Sequence, residues 1–420
     1  TMGNSERARE MVNNAREYIK RVRKSDKRMK TEVEINNLLG VLNWTTGDYK
    51  EAVRFFKRNL ELLQESGNLA QLAKTQCNLG SVYRATGEYN KAKNYFRNCL
   101  ETSNRIGYKN GITASLNNLA LILVVEGDYS GAAENYSKAL EFAEEAGNLI
   151  YIHQILGNLG NVYFSLGKYD RALEYYNRAI RISQQVGDIR GEAIESITIG
   201  DVYRVKGKYK EAKKCYNRAI ELYKIFKDKK WKGIALTGLG TIELSLKNLE
   251  KAEKYYTDAL QIFKEINAQR EISTALASLG TIYRKQKNIK KALEYLKKAE
   301  EKMEVLKDSE ALIQVKGELG ILYALKGDKR AEDYLKSCRD AAKETGSPVH
   351  KGIASLYCGR ILFTLGRIEE GEKEFIQGIN TLKKWRPERF IKELYIELAE
   401  FVKDKYPEKF REYMRISRDE

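Results

Sequence analysis

The sequence has 420 residues and only three prolines, Pro348, Pro387 and Pro407, and no Pro/Gly/Ser-rich linker interrupts it. One elongated domain accounts for this better than two or three globular ones. Histidine is nearly missing: His153 and His350 are the whole supply, with no repeated Asp or Cys arranged around either. That removes the usual basis for general acid–base or metal-assisted chemistry. The five cysteines, Cys77, Cys99, Cys215, Cys338 and Cys358, lie far apart without Cys-x-x-Cys spacing. They read as reduced structural thiols, neither a metal site nor a disulfide framework. No glycine-rich phosphate loop followed by Lys and Ser/Thr occurs. No apolar run reaches the length of a membrane span, and no signal-peptide pattern opens the chain. Paired carboxylates such as Glu144-Glu145 and Glu369-Glu370 fall on the solvent faces of expected helices. The expectation is a cytoplasmic, non-enzymatic protein with no cofactor, no metal and no membrane partner.

What the sequence does contain is a period. A small residue stands at Gly80, Ala120, Gly160, Gly200, Gly240, Gly280 and Gly320, 40 residues apart each time. Seven residues further on come Gly47, Gly87, Gly127, Gly167 and Gly207, then Lys247 and Lys287, then Gly327. Five residues beyond those stand Ala52, Ala92, Ala132, Ala172, Ala212, Ala252 and Ala292. Between Gly327 and Ala331 one residue is missing, and the ninth unit continues at Gly359, Gly366 and Gly371. The deletion is expected to shorten a turn and leave both helices whole. A fixed period of this size marks a repeat solenoid, so function is sought on a long repeated surface.

Each unit reads as two helices, because apolar residues recur at three- and four-residue steps and strand-like alternation is absent. In the second unit Leu72, Leu79, Val82 and Tyr83 share one face, and Ala92, Tyr95, Phe96, Cys99 and Leu100 share the face of the next helix. The turn between them is Thr-Gly-Glu-Tyr at 86–89, where glycine accepts the left-handed backbone that ends a helix. One pair cannot bury its own apolar face, so stacking supplies the core.

These residues resemble the tetratricopeptide repeat family. Its Leu-Gly-x2-Tyr…Ala-x3-Phe pattern appears as Leu79-Gly80-x2-Tyr83…Ala92-x3-Phe96 and as Leu159-Gly160-x2-Tyr163…Ala172-x3-Tyr176. The family's Trp is replaced by Gln76 or Leu156, and its terminal Pro is absent. The period is longer than the common form of about 34 residues. It is similar to the long-unit subgroup with an Asn-Leu-Gly signature, found in kinesin light chains and in Leu-Gly-Asn repeat proteins of spindle orientation. The resemblance implies an all-α, right-handed α-α superhelix of about nine helix-turn-helix repeats over residues 31–386. Residues 387–420 are expected to form C-terminal capping helices. Within residues 1–30, Thr-Met-Gly reads as an expression-vector remnant. Met11, Ala15, Tyr18, Ile19 and Val22 then form the stripe of a capping helix or of a half repeat cut from something longer.

The resemblance further implies an extended peptide or partner protein bound in the concave groove lined by first helices. Asn78, Asn118 and Asn158 precede the Leu-Gly or equivalent pair, with Asn161 one turn later. A side-chain amide offers donors and an acceptor to a peptide backbone, or bonds within the stack instead. Four residues after the repeat glycines stand Arg84, Arg204 and Arg284, planar forks suited to carboxylates. Lys74 and Lys285 add charge, while Trp44, Val124, Phe164 and Phe363 occupy the equivalent site in other units. A partner carrying acidic and hydrophobic residues is the expectation.

Net charge is +17, unevenly spread. Residues 201–240 carry 12 Lys/Arg against 4 Asp/Glu, whereas residues 121–160 carry 1 against 6. Nucleic-acid binding through Lys206, Lys208, Lys210, Lys213, Lys214, Lys224, Lys227, Lys229, Lys230 and Lys232 is one reading. Most of these lysines sit on second helices or loops, so a solvated face explains them better, and aromatic stacking platforms are lacking. Another reading makes the chain the sensor arm of a larger signal-transduction ATPase or transcription regulator. Self-association through an open solenoid end is a further expectation.

Overall fold

The structure, a computed structural model, describes residue 14 and residues 25–419 apart from 307, 345 and 385–387. The expected N-terminal stripe at Met11 to Val22 and Pro387 lie outside those residues. The first helices of successive pairs are α1 Ser25–Thr45, α3 Leu69–Ala85, α5 Lys109–Val125, α7 Leu149–Ser165, α9 Ile189–Val205, α11 Lys229–Ser245, α13 Gln269–Lys285, α15 Ser309–Leu325, α17 Pro348–Thr364 and α19 Glu388–Val402. Their partners are α2 Tyr49–Ser66, α4 Tyr89–Arg105, α6 Tyr129–Glu145, α8 Tyr169–Val186, α10 Tyr209–Phe226, α12 Leu249–Glu265, α14 Ile289–Val305, α16 Arg330–Glu344, α18 Ile368–Leu382 and α20 Pro407–Asp419. No strand occurs among the described residues. The fold is an all-α solenoid of paired helices, in two compact units, residues 1–162 and 163–420.

Helix ends explain the period. Left-handed backbone occurs at Gly47, Gly87, Gly127, Gly167 and Gly207, and Lys247 and Lys287 adopt it too, with φ of 62° and 61°. The turns between pairs do the same at Gly67, Gly107, Gly147 and Gly187, then at Lys227 and Asn267. The left-handed residue lets the next N–H reach back into the helix, as Asp48 N donates to the Asn43 carbonyl at 2.8 Å and Lys208 N to that of Tyr203 at 2.8 Å. The residue that follows then caps the next helix, as Asp48, Asn68, Asp128, Asp188 and Asn288 each accept an N–H through the side chain. The backbone therefore repeats every 20 residues, half of the sequence period.

The missing residue near Ala331 acts differently from the expectation. The turn is kept whole, with Gly327 left-handed and Asp328 N bonded to the Tyr323 carbonyl at 2.9 Å. The following helix α16 is shortened instead, to 15 residues where its counterparts in the preceding pairs have 17 or 18. Turn geometry needs every one of its bonds, whereas a helix can lose a residue from its first turn.

Packing follows the small positions. A Cβ on Gly80 would lie 2.6 Å from the Phe96 ring and one on Gly280 2.5 Å from Leu296, so the absent side chains are filled by the partner helix. Ala92, Phe96 and Cys99 are fully buried with Leu79 and Val82, as Ala292, Leu296 and Ala299 are with Leu279 and Ile282. Tyr83 stacks on Tyr95 with centroids 5.5 Å apart, and Tyr323 on Tyr334 at 5.4 Å. Within each unit first helices also touch one another, α1 with α3, α3 with α5, α9 with α11, α13 with α15 and α15 with α17. Close spacing on that side makes it the inner side of each unit's curve. Pro348 and Pro407 open helices α17 and α20, where a missing N–H costs nothing.

Candidate functional site

In the first unit Trp44, Lys74, Asn78, Arg84, Asn118, Asn158 and Asn161 all lie on first helices. The asparagine amides are engaged in the stack itself. Asn78 Nδ2 donates to Asn37 Oδ1 at 2.9 Å and Asn158 Nδ2 to Asn117 Oδ1 at 3.2 Å, so each clasps the preceding pair. Asn118 Nδ2 donates to the Ala114 carbonyl one turn back at 2.8 Å. Asn161 is exposed. Trp44 is half-buried against the Phe56 and Phe96 cluster. Lys74 is exposed, and Arg84 is half-buried with its Nε sealed from solvent and without an acceptor among the described residues.

In the second unit the two expected arginines are already matched. Arg204 Nη2 lies 2.9 Å from Asp201 Oδ1, and Tyr216 donates its hydroxyl to the same oxygen at 2.7 Å. Burial works against the charge on Arg204, yet Asp201 and Tyr216 hold its guanidinium above the ordinary value. Arg284 grips Glu318 with Nε and Nη2, the latter at 3.3 Å, and Tyr357 reaches Glu318 Oε1 at 3.5 Å. Arg360 takes Glu397 in bidentate fashion at 2.6 and 2.8 Å. Lys285, next to this network, makes no ion pair among the described residues. Burial, and then the adjacent Arg284, push its ammonium below the ordinary value. Phe164 is half-buried, edge-on to Tyr169 with centroids 5.5 Å apart, and belongs to the wall rather than to an open pocket.

The second unit holds a half-open cavity of about 430 Å³. Arg204 from α9, Ser245 from α11, Gln314 from α15, Tyr357 and Arg360 from α17 and Phe390 from α19 all line it. Sequence reasoning found Arg204 and missed the others. Arg360 stands one residue after Gly359, as Asp201 does after Gly200 and Asn161 after Gly160. Extending the Asn161 position to the other units would have found it. Gln314 and Phe390 carry no such signal.

The basic stretch is largely neutralised where it touches the fold. Lys206 pairs with Asp170, Lys213 with Glu243 at 2.6 Å, Lys229 with Glu265 at 2.7 Å and Lys230 with Glu271 at 2.7 Å. Among the described residues no cluster of three or more His, Cys, Asp or Glu could hold a metal ion, and no helix is long and apolar enough to cross a membrane.

Several solved structures share this architecture. The apo form of the quorum sensor NprR from B. thuringiensis is 16% identical with a TM-score of 0.58, covering 86% of this chain and 100% of that one. A Rap protein complexed with Competence and Sporulation Factor is 16% identical with a TM-score of 0.54, covering 92% and 98%. A Signal Transduction ATPase with Numerous Domains and a tetratricopeptide repeat sensor, from Pyrococcus horikoshii, is 18% identical with a TM-score of 0.50, covering 81% of this chain and 54% of that one. At such identities the likeness is one of fold. No curated protein matches the sequence. The chain does match the MalT-like TPR region over residues 145–343 and a tetratricopeptide repeat family over residues 31–105. Together with helix pairs stacked at the expected interval, these matches make the chain a member of the tetratricopeptide-repeat proteins.

Proposed function

We propose that the chain is a non-catalytic sensor or regulatory arm that takes an extended peptide on the inner face of its second unit. The observation that carries this is the cavity lined by residues from five first helices, spread from Arg204 to Phe390. A surface drawn from so many pairs reads a ligand along its length, and occupancy would be felt by every pair that lines it. The fold likeness to NprR, to a Rap protein and to a repeat sensor supports the sensor reading over a passive scaffold. The long-unit resemblance to kinesin light chains supports a peptide as the ligand.

The chemistry of that ligand follows from which groups remain available. Arg204, Arg284 and Arg360 are committed to carboxylates and act as polar walls. Lys285, beside Arg284 and outside the cavity lining, is a cation placed to answer an acidic side chain or a terminal carboxylate that extends from it, while Tyr357 and Phe390 offer apolar surface. A panel of synthetic octapeptides, varied in acidic and apolar positions, tests this by calorimetry. Binding is expected for peptides with one acidic and two or more apolar residues, weakened at least tenfold by Tyr357→Ala and moderately by Lys285→Ala. Lys210→Ala on the exposed second helix should leave it unchanged. Binding indifferent to Tyr357→Ala, or confined to RNA and lost on reversing the 201–240 lysines, would overturn the reading.

A further inference from the structure

The fold brings four of the five cysteines together as two pairs. Cys338 on α16 and Cys358 on α17 lie against one another and are both sealed, at 0% and 1% exposure. Cys77 on α3 and Cys99 on α4 have their sulfurs 2.7 Å apart. Cys99 is fully buried, whereas Cys77 is only half-buried and has Ser115 Oγ 3.4 Å from its sulfur. Both pairs join neighbouring helices, and the difference between them is access.

We propose that Cys77 and Cys99 are a redox-active dithiol, a modification site whose co-reactant is hydrogen peroxide. The Cys77 sulfur, on the less buried residue of the pair, attacks one peroxide oxygen. An S–O bond forms, the O–O bond breaks, and the departing hydroxide takes the thiol proton and leaves as water. Cys77 is then a sulfenic acid, oxidised by two electrons. The Cys99 sulfur attacks it, forming the S–S bond as the S–O bond breaks, and the second hydroxide leaves with the Cys99 proton as water. Two thiols and one peroxide thus give one disulfide and two waters. The sulfurs need to approach by only about 0.7 Å to reach the bonded distance of about 2.05 Å. The bond would pin α3, whose Asn78 clasps Asn37, to α4 across 22 residues. Disulfides inside reducing compartments are characteristically transient and redox-sensing, and a pair with one half-buried member fits that use.

Hydrogen peroxide added to the reduced full chain, followed by denaturing alkylation and peptide mapping, tests this. The expected result is a fall from five to three alkylated thiols, a linked peptide pair containing Cys77 and Cys99, and full reversal by dithiothreitol. In Cys99→Ser the sulfenic acid should persist at Cys77 and be captured by dimedone, while circular dichroism reports whether that variant folds. Cys77→Ser, altered at the less buried member, should keep all of its four thiols alkylatable under the same treatment. Five alkylated thiols in the treated wild type would overturn the proposal, as would linkage of Cys338 to Cys358 in place of the first pair.

Discussion

Replacing Lys247 and Lys287 by glycine should stabilise the second unit. Both lysines hold φ near +61°, a conformation that costs an L-residue about 1–2 kcal/mol. In the same turn of other pairs the residue is Gly47, Gly87, Gly127 or Gly327, and a Cβ built there meets nothing within 4 Å. The space around this position is open, so the penalty is backbone strain without side-chain crowding. Glycine returns about 0.4–1 kcal/mol of the gain through the greater freedom of the unfolded chain. The net expectation is about 0.5–1 kcal/mol for each site, and about 1–2 kcal/mol for both, since sites this far apart add. Urea unfolding followed by far-ultraviolet circular dichroism measures it as a rise in midpoint at unchanged slope. The mirror change Gly327→Lys, at φ of 64°, should lower stability by about the same 0.5–1 kcal/mol. A midpoint that falls in Lys247→Gly and Lys287→Gly, or stays level in all three variants, would refute the strain argument.

Three further outcomes follow from the packing and the charges. Burial pushes the Glu195 carboxyl up to about 7, with a Thr198 hydrogen bond opposing. Its folded value lies above its unfolded one, so its contribution to stability is fully present below about pH 4.5 and is lost as pH rises through 7. Glu195→Gln should therefore gain on wild type by up to about 3 kcal/mol between pH 4.5 and pH 8, read from urea midpoints at both ends. Gly80→Ala drives a methyl into the Phe96 ring at 2.6 Å and should cost about 1–3 kcal/mol despite its better helix propensity, whereas Gly80→Ala combined with Phe96→Leu should recover part of the loss. Salt should weaken peptide binding only slightly, because three of the inner cations are internally paired; a steep decline between 50 and 500 mM NaCl would show that those pairs open for the ligand.

The fold was legible because repetition makes each residue testify many times. Gly80 with Ala92 predicts a close helix crossing, and Gly200 with Ala212 predicts it again. The half-period was less visible. Gly67, Gly107, Gly147 and Gly187 do recur, but Lys227 and Asn267 stand where the series should continue, and only the backbone shows that they keep the same conformation. At the candidate site the period told which positions recur on the first helices and could not tell which side chains were spoken for. Arg204 and Arg284 are alike in sequence context to Arg84, yet Asp201 neutralises one and Glu318, a repeat away, the other. Glu243 occupies a position filled by Tyr in most units and is kept charged against burial by Lys213 and Asn248. The Arg284–Glu318 and Lys213–Glu243 pairs span 34 and 30 residues and leave no trace in the spacing of any one repeat, whereas Asp201 lies one turn from Arg204 and could have been read there.

The turns also determine how such a chain can change length. Asp188 caps the helix that begins at Ile189, and Asp228 caps the one that begins at Lys229, each just after a left-handed residue. Excising residues 189–228 would set Asp188 before Lys229 with the same cap and the same backbone on either side. Every splice made at that point preserves both junctions, so the stack can be inherited, lost or duplicated in whole pairs. Ligand length can then vary between descendants of one sequence while the local chemistry of each surviving pair stays as it was.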